Sequence, residues 1–313
     1  MHFSFARRSA RSSARALLGL MGSLIAFGFA PAPVQAQSAP KVGLLVVAHG
    51  SDSTWNANVR NTVAQVKWPH GPVTVAFLMG PEAESASWSA ALAQLKESGA
   101  SRAIAVPLMV STHGAHVDQI RFYAGELPAM PKELEAMNHA HAAHTPNPMP
   151  VVTTRGLDDA TELGDALLVR WRALSAADRA RPLILIAHGP GDDSSSVLWE
   201  QNITRATAPL AKLVAPRPLR IALLRDDAAP QVRANAIRIM RDTITALATR
   251  ARDSVTALPV LISTSSINTA KIPADIAGLP VRFHTVGLTP SSALALWIER
   301  IANDKIDRLA ETR

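Results

Sequence analysis

Twice along this chain a continuous apolar run ends in His-Gly. The first is Val42-Gly43-Leu44-Leu45-Val46-Val47-Ala48, followed by His49-Gly50-Ser51. The second is Pro182-Leu183-Ile184-Leu185-Ile186-Ala187, followed by His188-Gly189-Pro190. A run that is apolar at every position, not at alternate ones, reads as a strand buried on both faces of a parallel sheet. Parallel neighbours need crossover connections, so helices must lie between such strands. The residues after the first run fit: a helical stretch from Trp55 to Val66, a strand over Val73–Leu78 and an Ala-rich amphipathic helix over 83–98 that stops at Gly99. A further apolar strand spans Arg102–Val110, and a helix begins near Val117. This alternation predicts an α/β fold with a parallel sheet and helices on both faces.

The second half repeats the first. Arg220–Arg225 echoes Val73–Leu78, and Ala257–Thr264 echoes Ala105–Thr112. Three matched segments in one order indicate internal duplication. Two similar doubly wound domains are therefore expected, about 40–125 and 155–310. Between them, residues 126–154 carry five prolines and the run His139-Ala140-His141-Ala142-Ala143-His144, which reads as an exposed Pro/His-rich linker or loop. The halves differ where chemistry would sit. Ser111-Thr112-His113-Gly114-Ala115-His116 becomes Ser263-Thr264-Ser265-Ser266-Ile267-Asn268, so the second copy is degenerate.

Composition narrows the chemistry. The chain of 313 residues has no cysteine, which excludes disulfides, thiolate metal sites and a cysteine nucleophile. Aromatics are only 4%, too few for a base-stacking platform. The formal charge of +7 invites a nucleic-acid partner, but its location removes that reading. Arg7, Arg8, Arg11 and Arg15 supply four of the seven, which leaves +3 on residues 37–313. Those arginines precede an apolar run, Ala16–Ala30, and small residues around Val34-Gln35-Ala36. That is the layout of an export signal cleaved near Ala36, by the general or the twin-arginine route. The mature chain is then expected in the periplasm or secreted, with no membrane span.

Sites in open parallel sheets lie at the carboxyl ends of strands. His49, His113 and His116 all stand just past such ends. Imidazoles there can bind a divalent metal or move protons near neutral pH. Nitrogen and oxygen donors suit Co, Ni, Fe(II) or Zn, and two or three ligands leave open positions, the mark of a transient or catalytic site. His188 is a secondary candidate, as are His139, His141 and His144. Glu82 and Glu84 follow the second strand and could serve as metal ligands or proton relays, or simply as acids at a helix start. No nucleotide-binding glycine motif is present. Ser51 beside His49 lacks the elbow and the acid partner of a serine hydrolase.

Taken together, Ala48-His49-Gly50-Ser51, Phe77-Leu78-x-Gly-Pro-Glu82 and Val106-Pro107-Leu108-Met109-Val110-Ser111-Thr112-His113 resemble the sirohydrochlorin chelatases of the CbiX/SirB type. The second half is similar to the C-terminal half of the longer members through Ala187-His188-Gly189-Pro190-Gly191-Asp192-Asp193, Trp199 and Leu224–Arg233. The resemblance implies a bilobal chelatase fold with a cleft between lobes. It implies a lyase-type activity, inserting Co(II) or Fe(II) into sirohydrochlorin or a related tetrapyrrole without ATP, as in siroheme or cobalamin biosynthesis. It places the catalytic histidines at His49 and His113, with His116 close enough in register to share the metal-ligand role. Arg60, Arg102 or Arg121 could hold the carboxylate rim of the substrate. The alternative is a non-catalytic periplasmic metal- or tetrapyrrole-binding protein on the same scaffold, favoured by the export signal and the His-rich loop.

Overall fold

In the computed structural model, which describes residues 40–136 and 146–311, the first strand is the centre of the first sheet. The export-signal segment and His139, His141 and His144 lie outside the described residues. The first half runs β1 (Lys41–Ala48), α1 (Ser53–Val63), β2 (Val73–Phe77), α2 (Trp88–Glu97), β3 (Ala100–Pro107), α3 (Ala115–Ala124), α4 (Lys132–Ala136) and β4 (Val151–Thr153). Helices α5 (Thr161–Arg172) and α6 (Ala176–Arg179) lead to the second half. That half runs β5 (Leu183–Ala187), α7 (Asp193–Ala206), α8 (Ala208–Val214), β6 (Leu219–Leu223), α9 (Pro230–Ala251) and β7 (Val255–Val260). A π-helical turn (Ile267–Lys271), α10 (Ile272–Asp275), β8 (Val281–Phe283) and α11 (Ser292–Glu311) complete it.

Both sheets are four-stranded and parallel, in the orders β2-β1-β3-β4 and β6-β5-β7-β8. The identical order is the tertiary form of the sequence repeat. In each sheet the order reverses beside the His-Gly strand, between β1 and β3 and between β5 and β7. Crevices at such reversals receive ligands in open α/β sheets.

The all-apolar strands have two faces to bury, and they bury both. Leu44, Val46 and Ala48 of β1 and Leu183, Leu185 and Ala187 of β5 face one common core. Trp55 of α1, Leu163 and Leu167 of α5, Ile203 of α7 and Trp297 and Ile298 of α11 fill it. Leu45 and Val47 point the other way, against Leu92 and Leu95 of α2 and Ile120 of α3. Ile184 and Ile186 do the same against Met240 and Ile244 of α9. The helices between the sheets thus serve both halves, and Pro40–Arg313 forms one compact unit. Gly164 of α5 lets that packing close: a Cβ there would stand 2.1 Å from the carbonyl oxygen of Ala206 in α7.

Two details differ from the sequence reading. The helix expected over 83–98 begins only at Trp88, because the Ser87 side chain caps it by accepting from Ala90 N–H at 3.2 Å. Residues 81–86 form turns, so Glu82 is not on a helix. The stretch 126–154 ends as part of the first sheet, not as an exposed linker. Ala103, Ile104 and Ala105 of β3 pair with Val151, Val152 and Thr153. The Glu126 carboxylate accepts from Thr153 N–H at 2.7 Å and from its hydroxyl at 2.6 Å. Three residues are too short a run for hydrophobic patterning to register as a strand.

Candidate metal-handling site

His49 sits at the carboxyl end of β1, and the next residue sets its direction. Gly50 has φ +86°, and a Cβ there would lie 2.1 Å from the Met79 carbonyl oxygen, so only glycine lets the two strand-end loops meet. The His49 Nδ1 is 2.9 Å from the Gly50 carbonyl oxygen. A carbonyl only accepts, so Nδ1 carries the proton and Nε2 keeps its lone pair. The second lobe repeats the device: Gly189 has φ +76°, and His188 Nδ1 is 2.9 Å from the Gly189 oxygen.

The ring that meets His49 belongs to His116, with centroids 4.7 Å apart and planes at 87°. His116 stands in the first turn of α3, and its Nδ1 lies 3.0 Å from Oε1 of Gln119, one turn along. The Gln119 amide donates to the Tyr123 hydroxyl at 3.1 Å, and both residues are buried. That orientation leaves the Gln119 oxygen to accept from His116 Nδ1–H. His113 is engaged through its backbone. Its N–H donates to the Ser111 hydroxyl at 3.1 Å, and its carbonyl accepts from the Trp199 indole of the other lobe at 2.7 Å.

Asp158 fixes the loop that carries both histidines. It is 7% exposed and sits at φ +50°. Its carboxylate accepts from Ser111 Oγ at 3.2 Å, Thr112 N–H at 2.7 Å and Thr112 Oγ1 at 2.5 Å. Asn202 of α7 adds a contact at 3.4 Å. One buried carboxylate therefore ties the β3 end to both halves of the protein.

The remaining candidates separate. Glu82 is held by Asn56 Nδ2 at 3.0 Å and by Arg60 at 2.7 Å, and the Arg60 hydrogen bond keeps its carboxyl below the usual range. Asn56, wholly buried, also accepts from Ser51 N–H at 3.0 Å, so this cluster braces the loops around His49. Arg60 is thereby occupied by Glu82. Arg121 pairs with Asp118 at 3.1 Å. Arg102 lies opposite Val42, at the sheet end remote from the histidines, and is not placed for a substrate rim there. Sequence reasoning missed Asp158, Gln119 and Tyr123. The Gln119–Tyr123 spacing of four on an expected helix was the one available signal.

Burial pushes the His49 imidazole down from 6.5 to about 4, with the His116 ring as the next cause. The Gly50 carbonyl opposes this, His188 adds to it and Asp227 offsets it. His49 is thus neutral at physiological pH, with a second imidazole against it. Such a pair can bind a borderline metal ion, accept protons, or divide the two tasks.

The two sheets and their histidine-tipped strand ends define a two-lobed protein of chelatase architecture. Residues 43–174 match the CbiX family model. No curated protein matches the sequence. Among solved structures, the fold is similar to "SirB from Bacillus subtilis with Fe3+" at 15% identity, covering 84% of this chain and 95% of that one, with a TM-score of 0.53. It is also similar to the sirohydrochlorin chelatase SirB from Bacillus subtilis subspecies spizizenii in complex with cobalt, at 15% identity over 83% and 94% of the two chains, TM-score 0.54. The CbiX match thus falls mainly on the first lobe, and the likeness in fold to SirB extends over both lobes.

Two measurements test this geometry. Because the folded state holds His49 neutral, acidification from pH 6.5 toward 4 lets only the unfolded chain take up the proton. Stability should fall with pH across that window, by up to about 1.4 kcal/mol per unit. The drop should be smaller in His49→Ala, and the His49 ring should titrate near 4 by NMR; a titration near 6.5 would refute the burial argument. Replacing Gln119 by Leu should weaken metal binding roughly ten- to a hundredfold, the usual cost of losing a ligand's orienting partner. Gln119→Glu, which keeps an acceptor, should bind far better than Gln119→Leu, and equal losses would reduce Gln119 to a packing residue.

Proposed function

We propose that this protein is a chelatase that inserts Co(II) or Fe(II) into sirohydrochlorin or a related tetrapyrrole, without ATP. The observation that carries the reading is the facing pair His49 and His116, with ring centroids 4.7 Å apart at the carboxyl end of the first sheet. The CbiX match over the segment containing both residues supports it, as do the iron and cobalt named with the two SirB structures. Ni(II) is compatible with the same donors.

Insertion exchanges two pyrrole N–H protons for one divalent ion. The protein must strip water from the ion and receive the protons. A neutral imidazole can do either, and two facing imidazoles can divide the tasks. We assign one of His49 and His116 as metal ligand and the other as proton acceptor. His113 acts by fixing the loop through its backbone, which is a positioning role. Bending the macrocycle would bare its nitrogen lone pairs, a strain that binding would have to impose.

The direct test follows metal insertion into sirohydrochlorin by absorbance with a panel of Co(II), Fe(II) and Ni(II). His49→Ala and His116→Ala should each slow insertion by about 10²–10⁴-fold, the range of a lost acid–base group. His113→Ala should stay within a few-fold of wild type. Loss in His113→Ala with activity kept in His116→Ala would reverse the assignment. Tight binding of metal or tetrapyrrole with insertion no faster than the uncatalysed rate would point to a binding protein instead. We also assign residues 1–36 as an export signal, placing the mature chain in the periplasm. Fractionation should recover there a protein starting near residue 37, and a full-length cytoplasmic protein would refute this.

A further inference from the structure

The second lobe has lost the counterpart of His116, yet it keeps its strand-end histidine in full working geometry. His188 has the same glycine-set turn as His49 and the same Nδ1 contact to its own glycine carbonyl, which leaves Nε2 as the ring nitrogen for an outside partner. Opposite that nitrogen, at 3.6 Å, is Oδ2 of Asp227, from the loop after β6. That is too long for a hydrogen bond. It is close to the bite of a shared ion, since two ligand atoms about 2.1 Å from a tetrahedral metal lie about 3.4 Å apart. Ligand atoms of His188, Asp226 and Asp227 all fall within 4.8 Å of one another.

The two aspartates are not equivalent. Asp226 is 8% exposed in its side chain, accepts from Arg233 at 2.8 Å and is bonded to Lys271 of the π turn. Its charge is spent, and it anchors the loop. Asp227 is 56% exposed in its side chain, open to an incoming hydrated ion. A second observation points to a ligand here. Asn268 occupies the position of His116 in the repeat, on the same π turn as Lys271. It is wholly buried, and its Nδ2 donor has no hydrogen-bond partner. In the first lobe the residue at this position meets the strand-end histidine. An unpaired donor in that place suits an acceptor arriving with an ion, such as a metal-bound water.

We propose that His188 and Asp227 form a second metal-binding station, in the lobe opposite His49 and His116. Its occupant is a first-row divalent ion with one nitrogen and one carboxylate ligand and water in the other positions. Two protein ligands make it an exchangeable site, not a structural one. The pairing of imidazole with carboxylate admits Co(II), Ni(II), Fe(II) and Zn(II). The site stands independently of tetrapyrrole insertion.

The test counts Co(II) bound at pH 7.5 by equilibrium dialysis, with visible absorption as a second readout and no tetrapyrrole present. The full chain is used with His139, His141 and His144 changed to Ala, to remove the sequence's other histidine cluster. This protein should bind two ions. Asp227→Asn, at an exposed side chain, should leave one; His49→Ala with His116→Ala should also leave one; the combination should leave none. Two ions retained in Asp227→Asn would overturn the station. So would a single ion removed by either set of substitutions, which means one shared site. A single ion lost in Asp227→Asn but kept without His49 and His116 would uphold the station and count against the chelatase reading. His188→Ala should reproduce the Asp227→Asn result if the imidazole is the nitrogen ligand, and a wild-type count would overturn that ligand set.

Discussion

Everything at the cleft depends on one layer of packing. Helices α1, α5, α7 and α11 are buried between two parallel sheets, with Trp297 at 0% exposure in their midst. Because β1 and β5 both turn a face to that layer, neither sheet can be completed alone. The shared core locks the two sets of strand ends into one body. The cross-lobe contacts follow from it: Trp199 with the His113 carbonyl, Asn202 with Asp158, and Asn58 with Ser263 at 3.3 Å. A buried tryptophan fixed between sheets gives rigidity that exposed ion pairs could not, since the latter contribute little.

That rigidity matters because the chemistry rests on protonation state and direction. Three imidazoles have Nδ1 against an oxygen acceptor, two of them backbone carbonyls and one the Gln119 amide. Each ring is therefore fixed in orientation through Nδ1. Burial and a neighbouring ring hold His49 neutral, with its pKa near 4. Neutral imidazole is the form that binds metal and accepts protons. Carboxylates around the site are mostly spent on bracing: Glu82 on Arg60 and Asn56, Asp158 on the β3 loop, Asp226 on Arg233 and Lys271. Asp227 stands out by its exposure.

Much of the fold was legible in the residues. The all-apolar runs gave β1 and β5, their repetition gave two sheets of one topology, and the His-Gly ends marked the cleft side. What failed to show was short or dependent on distant partners. Strand β4 has three residues, and its membership comes from pairing with β3. The choice between His113 and His116 was open because both follow the same strand. His113 precedes α3 and His116 lies in its first turn, and only packed coordinates show that His116 meets His49. Arg60, a reasonable hand for an anionic substrate by sequence, is already taken by a glutamate 22 positions away.

By itself the sequence determined the parallel α/β class, the duplication, the cysteine-free donor set and the strand ends where chemistry could sit. Those are consequences of local hydrophobic pattern and of residue type, which any short window of the chain carries. The tertiary structure decided which imidazoles face each other, which oxygen holds each Nδ1, and which carboxylates are spent on structure. Those depend on groups such as Gln119, Asp158 and Asp227, which lie from one helical turn to some forty residues from the histidines they serve. No pattern along the chain encodes the meeting of groups that only the buried layer between the sheets brings together.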